Sequence, residues 1–145
     1  MDTAGNVGQV CSDEILLLPN VAILSESGSE DKYYDSLTEA VEEARINNII
    51  PSRITILKNI TDETEVTISN DKNLVLDMNG QYIETTTGVY AIKNEGKLII
   101  ENRNPISSYI KITTPEVHTY GIYNKGELDI IGVSIEAQTG IYNEY

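Results

Sequence analysis

Asp77 and Glu101 are the acidic residues whose types and spacing could support chemistry. They occupy equivalent positions in two similar segments of the chain, and Arg103 follows Glu101 by two residues. If the segments lie side by side, the two carboxylates could bind calcium or act as general acid and base on a polysaccharide. A third segment carries Ile131 at this position, so the acidic row would end after two members. The alternative is a pair of solvated turn carboxylates, and we expect neither a metal site nor catalytic residues.

Tyr123 and Tyr142 form a second pair of interest. Each occupies the middle position of an Ile-x-Asn segment, so both side chains are expected to point outward on neighbouring strands and to stack. Two outward aromatic rings could provide a platform for a sugar. They could also simply stabilise the sheet, by roughly 0.2–1 kcal/mol. Both interpretations remain open from the sequence.

Other common signatures of chemistry are missing from the sequence. His118 has no second His or Cys nearby that could complete a metal site, and Cys11 is the single cysteine, which excludes an intrachain disulfide. The chain has no glycine-rich phosphate loop, no Cys-x-x-Cys motif and no serine-nucleophile motif. We therefore expect no cofactor.

The segments compared above are copies of one repeat, Ile-x-Asn-x-x-x-Leu-x-[Ile/Leu]. Three copies are complete and a fourth begins late in the sequence; they start at Ile68, Ile92, Ile122 and Ile141. The last two apolar residues of each complete copy lie two residues apart, which is the period of a strand. The repeated Asn residues are separated by 24, 30 and 19 residues, which disfavours a helical repeat array. The pattern predicts an all-β parallel β-helix of about four coils, with strands stacked about 4.8 Å apart.

The Asn of each copy lies two residues after an inward Ile, so it should also point inward. Stacked copies would place these residues in one column, where each amide could bond to the backbone and to the Asn above and below. Four surface Asn residues in turns are the alternative. We predict the column, called here the asparagine ladder, with four members: Asn70, Asn94, Asn124 and Asn143.

One amphipathic helix is predicted within residues 33–46. Ser36 and Glu39 have the spacing of a capping box, in which each side chain bonds to the backbone amide of the other residue. Asn47-Asn48 and Pro51 are expected to end the helix. Its apolar stripe should cover the open end of the first coil, because repeat proteins need a cap there. The stripe consists of Leu37, Ala40, Val41 and Ala44.

Further strands are predicted around the repeat copies. A strand is expected over 20–24, and the first core strand over 53–57, with Ile54 and Ile56 matching Leu74 and Leu76. Strands on a third side of each coil are expected over 81–85, 109–113 and 133–135.

Composition limits the range of partners. The 145 residues are enough for one domain with a core, and the net charge is −13. Nucleic acids and anionic membranes need a basic footprint, so neither is an expected partner. No apolar run is long enough for a membrane span, and the first ten residues do not have the pattern of a signal peptide. The protein is thus either cytoplasmic or a piece of a longer exported chain.

Residues 33–80 resemble the opening of right-handed β-helix regions in surface proteins of Gram-positive bacteria. The resemblance is carried by Tyr34-Asp-Ser-Leu-Thr-Glu-Ala-Val-Glu-Glu-Ala44, by Ile54-Thr-Ile-Leu-Lys-Asn-Ile60 and by Asn73-Leu-Val-Leu-Asp-Met-Asn-Gly80. Asn59 stands where those regions usually have Asp, and Met78 where they usually have Leu. In addition, Asp2-Thr-Ala-Gly-Asn6 resembles the last-strand motif of bacterial Ig-like surface domains. The resemblance implies a right-handed β-helix, but it implies little about activity.

These observations lead to one expected function and one alternative. We expect a leader or upstream-domain remnant over 1–19 and a capped β-helix over 20–145, truncated at its C-terminal end. It would serve as a non-catalytic structural or adhesin-like module, secreted or at the cell surface, with an unknown glycan or protein as its ligand. Self-association through the open C-terminal coil is also expected. The alternative is the N-terminal part of a β-helix polysaccharide lyase or glycoside hydrolase.

Overall fold

The computed structural model describes residues 20–63, 65–116 and 118–144. The predicted leader, with its Ig-like motif, lies outside these residues. The described part contains thirteen strands and one helix. They are β1 (Ala22–Ser25), β2 (Lys32–Tyr34), α1 (Leu37–Glu43), β3 (Ser52–Ile56), β4 (Val66–Ile68), β5 (Asn73–Asp77), β6 (Ile83–Thr85), β7 (Tyr90–Asn94), β8 (Lys97–Glu101), β9 (Ser108–Ile112), β10 (Tyr120–Asn124), β11 (Glu127–Ile131), β12 (Val133–Glu136) and β13 (Thr139–Asn143).

The strands form three sheets with a regular order of connection. Sheet 1 has the order β2-β1-β3-β5-β8-β11, sheet 2 has β4-β7-β10-β13, and sheet 3 has β6-β9-β12. From β4 onward the chain enters sheet 2, then sheet 1, then sheet 3, and it repeats this order until it returns to sheet 2 with β13. Strand pairs within this part are parallel, whereas β1 pairs antiparallel with both β2 and β3. The predicted all-β class is confirmed.

The core consists of apolar side chains that lie opposite similar side chains on the next strand. In sheet 1, Leu74, Leu98 and Leu128 occupy paired positions, and the next inward row contains Leu76, Ile100 and Ile130. Leu74, Leu98 and Ile100 are almost fully buried. Burying one such side chain contributes roughly 1.5–3 kcal/mol, so these rows stabilise the packing of the parallel strands on one another.

The register predicted for the first core strand is wrong by two residues. Ile54 lies opposite Leu76, and Ser52 lies opposite Leu74. Ile56 instead pairs with Ala22 on the antiparallel strand β1. A shift of two residues leaves every side chain on the same face, so the apolar pattern alone identifies the face and not the register.

Asn70 does not belong to the asparagine ladder, so this part of the prediction is wrong. On β4 it is Ile68 that lies opposite Asn94, and Asn70 is exposed in the turn that follows. Six positions separate Ile68 from Leu74, whereas four separate the paired residues Asn94 and Leu98. The two extra residues lengthen the first turn and carry Asn70 out of the column.

Ser36 caps the N-terminus of helix α1, and its Oγ accepts a hydrogen bond from the Glu39 amide at 3.0 Å. Glu63, from the loop before β4, supplies a second cap that the sequence did not predict. Its carboxylate accepts hydrogen bonds from the backbone amides of Leu37 at 2.7 Å and Thr38 at 2.9 Å. These are helix N-terminal amides that otherwise have no partner, and the negative charge also suits this end of the helix dipole.

The apolar stripe of α1 faces the core. Leu37, Ala40, Val41 and Ala44 are buried in the same cluster as the inward residues of β1, β3 and β4. The helix ends at Glu43, earlier than the predicted Asn47. At that end the ammonium group of buried Lys72 donates to the backbone carbonyls of Glu42 and Ala44, which stabilises the last helical turn.

We predict that the protein self-associates as its concentration rises. Strands β11, β12 and β13 each end a sheet, with one edge that pairs with no strand in the described part of the chain. Ile131 and Ile141 on these strands are 57% and 41% exposed. Unpaired edges with exposed apolar side chains recruit further strands. Light scattering over a concentration series should therefore report an increasing mass, and Ile131→Lys should reduce it.

A constant monomeric mass would contradict this prediction. Strong amide-exchange protection over residues 128–135 in the same monomer would identify the end strands as closed.

Candidate functional site

The predicted carboxylate row lies on the outer face of sheet 1. Asp77 on β5 is paired with Glu101 on β8, and Glu101 is paired with Ile131 on β11. Arg53 on β3 reaches both carboxylates, with its Nη1 at 3.2 Å from Asp77 Oδ2 and its Nη2 at 2.9 Å from Glu101 Oε2. Arg103 Nε lies 2.8 Å from the same Glu101 oxygen. The row thus contains two carboxylates and two guanidinium groups.

This arrangement balances its own charge. Glu101 Oε2 is buried and close to both guanidinium groups, but neither group points an N–H at it in hydrogen-bond geometry. Its contacts with Arg53 and Arg103 are therefore Coulombic. The second oxygen of Asp77 accepts the Asn79 amide at 2.9 Å. An open groove of about 470 Å³ on this sheet lies beside Lys97, Ile99 and Asp129 and is not lined by Asp77 or Glu101. Each carboxylate of the pair therefore already contacts a cation, and this groove lies away from both of them.

Tyr123 and Tyr142 belong to a larger aromatic group on the outer face of sheet 2. They occupy paired positions on β10 and β13, and their ring centroids are 5.1 Å apart. Tyr120 lies 5.6 Å from Tyr123 and 5.2 Å from Tyr142, and Tyr90 on β7 lies 6.1 Å from Tyr123. These distances are within the range of about 4.5–7 Å expected for aromatic rings in contact. We call these four residues the tyrosine patch.

A break in the strand alternation places Tyr90 and Tyr120 on this face. Ala91 and Ile92 are consecutive residues and both are buried, and so are Gly121 and Ile122 in the next copy. The residue before each buried pair is therefore turned outward. Strict period-two reasoning misses both tyrosines, although a Tyr two residues before the repeated Ile recurs in both copies and would have been a usable signal.

Polar groups flank the tyrosine patch. The Tyr123 hydroxyl donates a hydrogen bond to Glu144, and this bond is the main cause that raises the pKa of Tyr123 to about 12. The same bond holds the pKa of Glu144 below its usual value, and the Lys125 ammonium acts in the same direction. The stability from this bond is therefore complete between the usual titration range of a glutamate and about pH 10, and it is lost as the pH rises through about 12 or falls through the lowered pKa of Glu144.

The asparagine ladder supports the turn beside the tyrosine patch. Asn94 donates to Asn124 Oδ1 at 2.8 Å, and Asn124 donates to Asn143 Oδ1 at 2.9 Å. Asn94 Oδ1 also accepts the Gly96 amide. A Cβ at Gly96 would lie 2.4 Å from the Ser69 carbonyl oxygen, so only glycine allows the successive turns to approach this closely. The ladder therefore has three members and fixes the ends of β7, β10 and β13.

No metal-binding group emerges from the described ranges. Within residues 20–63, 65–116 and 118–144, no three His, Cys, Asp or Glu side chains are close enough together to hold an ion. His118 is exposed, and Cys11 lies outside the described residues. No helix among those same residues is long and apolar enough to cross a membrane.

The loop between α1 and β3 exposes an apolar surface that the sequence analysis did not identify. Ile46, Ile49 and Ile50 are 56%, 94% and 63% exposed. The loop is held in place by the side-chain amide of Asn73, which donates to the carbonyls of Asn48 and Ile49. Exposing three isoleucines to water within five residues is energetically unfavourable and is unusual for a surface loop.

Comparison with known proteins gives no match: no protein-family model fits the chain, and neither a curated protein nor a solved structure is significantly similar to it. The carboxylate row and the tyrosine patch are therefore the features on which a functional proposal can be based.

Proposed function

We propose that the described chain is a right-handed parallel β-helix with an N-terminal helical cap. The repeated entry of the chain into sheets 2, 1 and 3 supports this proposal. So do the inward rows of like side chains, because identical residues on successive strands are what stacked coils bring together. In this arrangement α1 covers one end of the core, and sheets 1, 2 and 3 form the three faces of the helix.

The proposed function is that of a non-catalytic structural or adhesin-like module of a bacterial surface protein, secreted or displayed at the cell surface. The observation that carries the non-catalytic role is the charge balance of the carboxylate row. Asp77 and Glu101 share Arg53, and Arg103 also contacts Glu101. A general acid and base, or a calcium site, needs carboxylates that are free to exchange protons or to bind the ion. The ligand of such a module would be a glycan or another protein.

The rival function is that of a polysaccharide lyase or glycoside hydrolase, which the adjacency of Asp77 and Glu101 on neighbouring strands favours. We expect no cleavage when the protein is incubated with pectin-like acidic polysaccharides, with or without calcium. Absorbance of unsaturated sugars and mass spectrometry of the products measure this, with a known lyase as positive control. Product release that is lost in Asp77→Ala but retained in Asp129→Ala, an exposed carboxylate on the same sheet, would establish the enzyme instead.

A further inference from the structure

We propose that the tyrosine patch binds a linear, uncharged, β-linked glycan through stacking of sugar rings on its tyrosines. This inference rests on the proposed non-catalytic module and gives its ligand a chemical class. The patch consists of Tyr90, Tyr120, Tyr123 and Tyr142 on the outer face of sheet 2.

The packing of the rings determines where a ligand can lie. The centroids of Tyr120, Tyr123 and Tyr142 are only 5.1–5.6 Å apart, so these rings contact one another and leave no space between them. A cation-binding aromatic cage needs such a space, and the patch does not provide it. A ligand must therefore lie on the outer surface of the rings. The C–H face of a pyranose ring suits this position, because the face of an aromatic ring is negative and a C–H hydrogen is slightly positive.

The charges around the patch favour an uncharged ligand. Lys93 lies 3.3 Å from Glu95, and Lys125 lies 3.7 Å from Glu144, so two cations are balanced by two carboxylates. The protein as a whole carries a net charge of −13, which repels polyanions over a longer range. A neutral sugar chain meets neither an unpaired charge nor this repulsion.

The chemistry of the outward side chains favours a glycan over a protein partner. The outward positions of β7, β10 and β13 hold Tyr, Lys and Thr residues and no aliphatic side chain. In the described part of the chain, the hydroxyls of Tyr90, Tyr120 and Tyr142 have no hydrogen-bond partner, in contrast to that of Tyr123. A sugar presents both C–H faces and hydroxyl groups. The tyrosine rings can contact the C–H faces, and the free tyrosine hydroxyls can form hydrogen bonds with the sugar hydroxyls.

The dimensions of the patch favour a linear chain. Its tyrosines lie on three neighbouring strands, which span about 10 Å across the sheet. This span accommodates a short stretch of consecutive sugars. The rings of Tyr123 and Tyr142 are inclined by 38° and those of Tyr120 and Tyr123 by 78°, so they form no single plane. A linear β-linked chain with equatorial substituents presents a C–H face on each sugar, and each such face can stack on one of these rings.

The test is a titration with cellohexaose, followed by isothermal calorimetry and by tyrosine fluorescence, which is not masked because the chain has no Trp. We expect measurable binding at millimolar ligand or below, and weaker binding by at least about fivefold in Tyr120→Ala and Tyr142→Ala. Tyr142 is 40% exposed, so its replacement tests the patch without disturbing the core. Tyr120→Phe, which retains the ring, should keep most of the affinity.

Tyr82→Ala is the matched control, because Tyr82, immediately before β6, stacks at 4.8 Å on Tyr109 of β9 in sheet 3, and neither residue belongs to the patch. Its affinity should equal that of the wild type. Absence of cellohexaose binding would overturn the inference, as would an equal loss of affinity in Tyr82→Ala. Equal or tighter binding of hexagalacturonate would overturn the assignment of an uncharged ligand.

Product analysis of the same mixtures separates this inference from the proposed function. Binding without cleavage supports both. Cleavage of the bound glycan would refute the non-catalytic role and leave the binding surface in place, whereas absence of both binding and cleavage would refute only the binding surface.

Discussion

Replacing Val41 with Asp is expected to lower the free energy of unfolding by about 3–5 kcal/mol, which is the usual cost of an unpaired buried charge. Val41 is 4% exposed and lies in one apolar cluster with Leu37, Ala40 and the inward residues of the first strands. Helix α1 contains no cation, and the buried ammonium of Lys72 at its end already donates to the Glu42 and Ala44 carbonyls, so a carboxylate at position 41 would have no free partner. Urea denaturation followed by circular dichroism measures the loss.

Glu42→Asp is the matched control for this variant. Glu42 is exposed on the same helix, so the change introduces an Asp with the same low helix propensity and no burial. We expect a loss below about 1 kcal/mol for the control. Similar midpoints for the two variants would mean that α1 does not cover the core, and the role of the helix as a cap would then be wrong.

The inward faces of the parallel strands of sheet 1 could be predicted from the sequence because their paired apolar residues lie two positions apart. Leu98 and Ile100 are buried, and Ile99 between them is less so. The same reasoning identified the stripe of α1, since Leu37, Ala40 and Val41 follow the period of a helix. In both cases one local pattern determines which side chains face inward.

Register and turn length could not be predicted in this way. The repeat template aligned Asn70 with Asn94, although the turn before Leu74 is two residues longer than the turn before Leu98. A turn can change length at little energetic cost. A strand that is shifted by two residues keeps the same side chains on the same face, so its apolar pattern does not reveal the shift. Only the pairing of β4 with β7 reveals that Ile68 occupies the place of an Asn.

Contacts between segments that are distant in the chain could not be predicted from the sequence either. Glu63 contacts the N-terminus of α1 although it lies 26 residues after Leu37 in the chain. The sequence instead suggested Glu39 for this role, because Glu39 is close to Ser36 in the chain. Arg53 forms ion pairs with Asp77 and Glu101 from β3, so the two carboxylates are paired with a cation and are not merely solvated turn residues. Such contacts depend on how the strands are stacked, which local patterns do not encode.

Asn94→Ala is expected to lower the free energy of unfolding by about 2–4 kcal/mol, because the buried groups left unpaired cost roughly 1–3 kcal/mol each. Asn94 is fully buried. The two N–H groups of its side-chain amide are shared among three acceptors, with Nδ2 at 2.8 Å from Asn124 Oδ1, 2.9 Å from the Glu127 carbonyl and 3.2 Å from the Gly96 carbonyl. Alanine supplies none of these bonds, and the site is too enclosed for water to replace all of them. Urea denaturation measures the loss.

Asn70→Ala is the matched control, since Asn70 is the exposed residue that the repeat template had placed in the same column. The control should change the free energy of unfolding by less than about 0.5 kcal/mol. Asn124→Ala should fall between the two variants, because Asn124 is 7% exposed and bonds to both Asn94 and Asn143. Equal midpoints for Asn94→Ala and Asn70→Ala would show that the asparagine ladder does not hold the turns together. A graded loss would show that each bond contributes according to its burial.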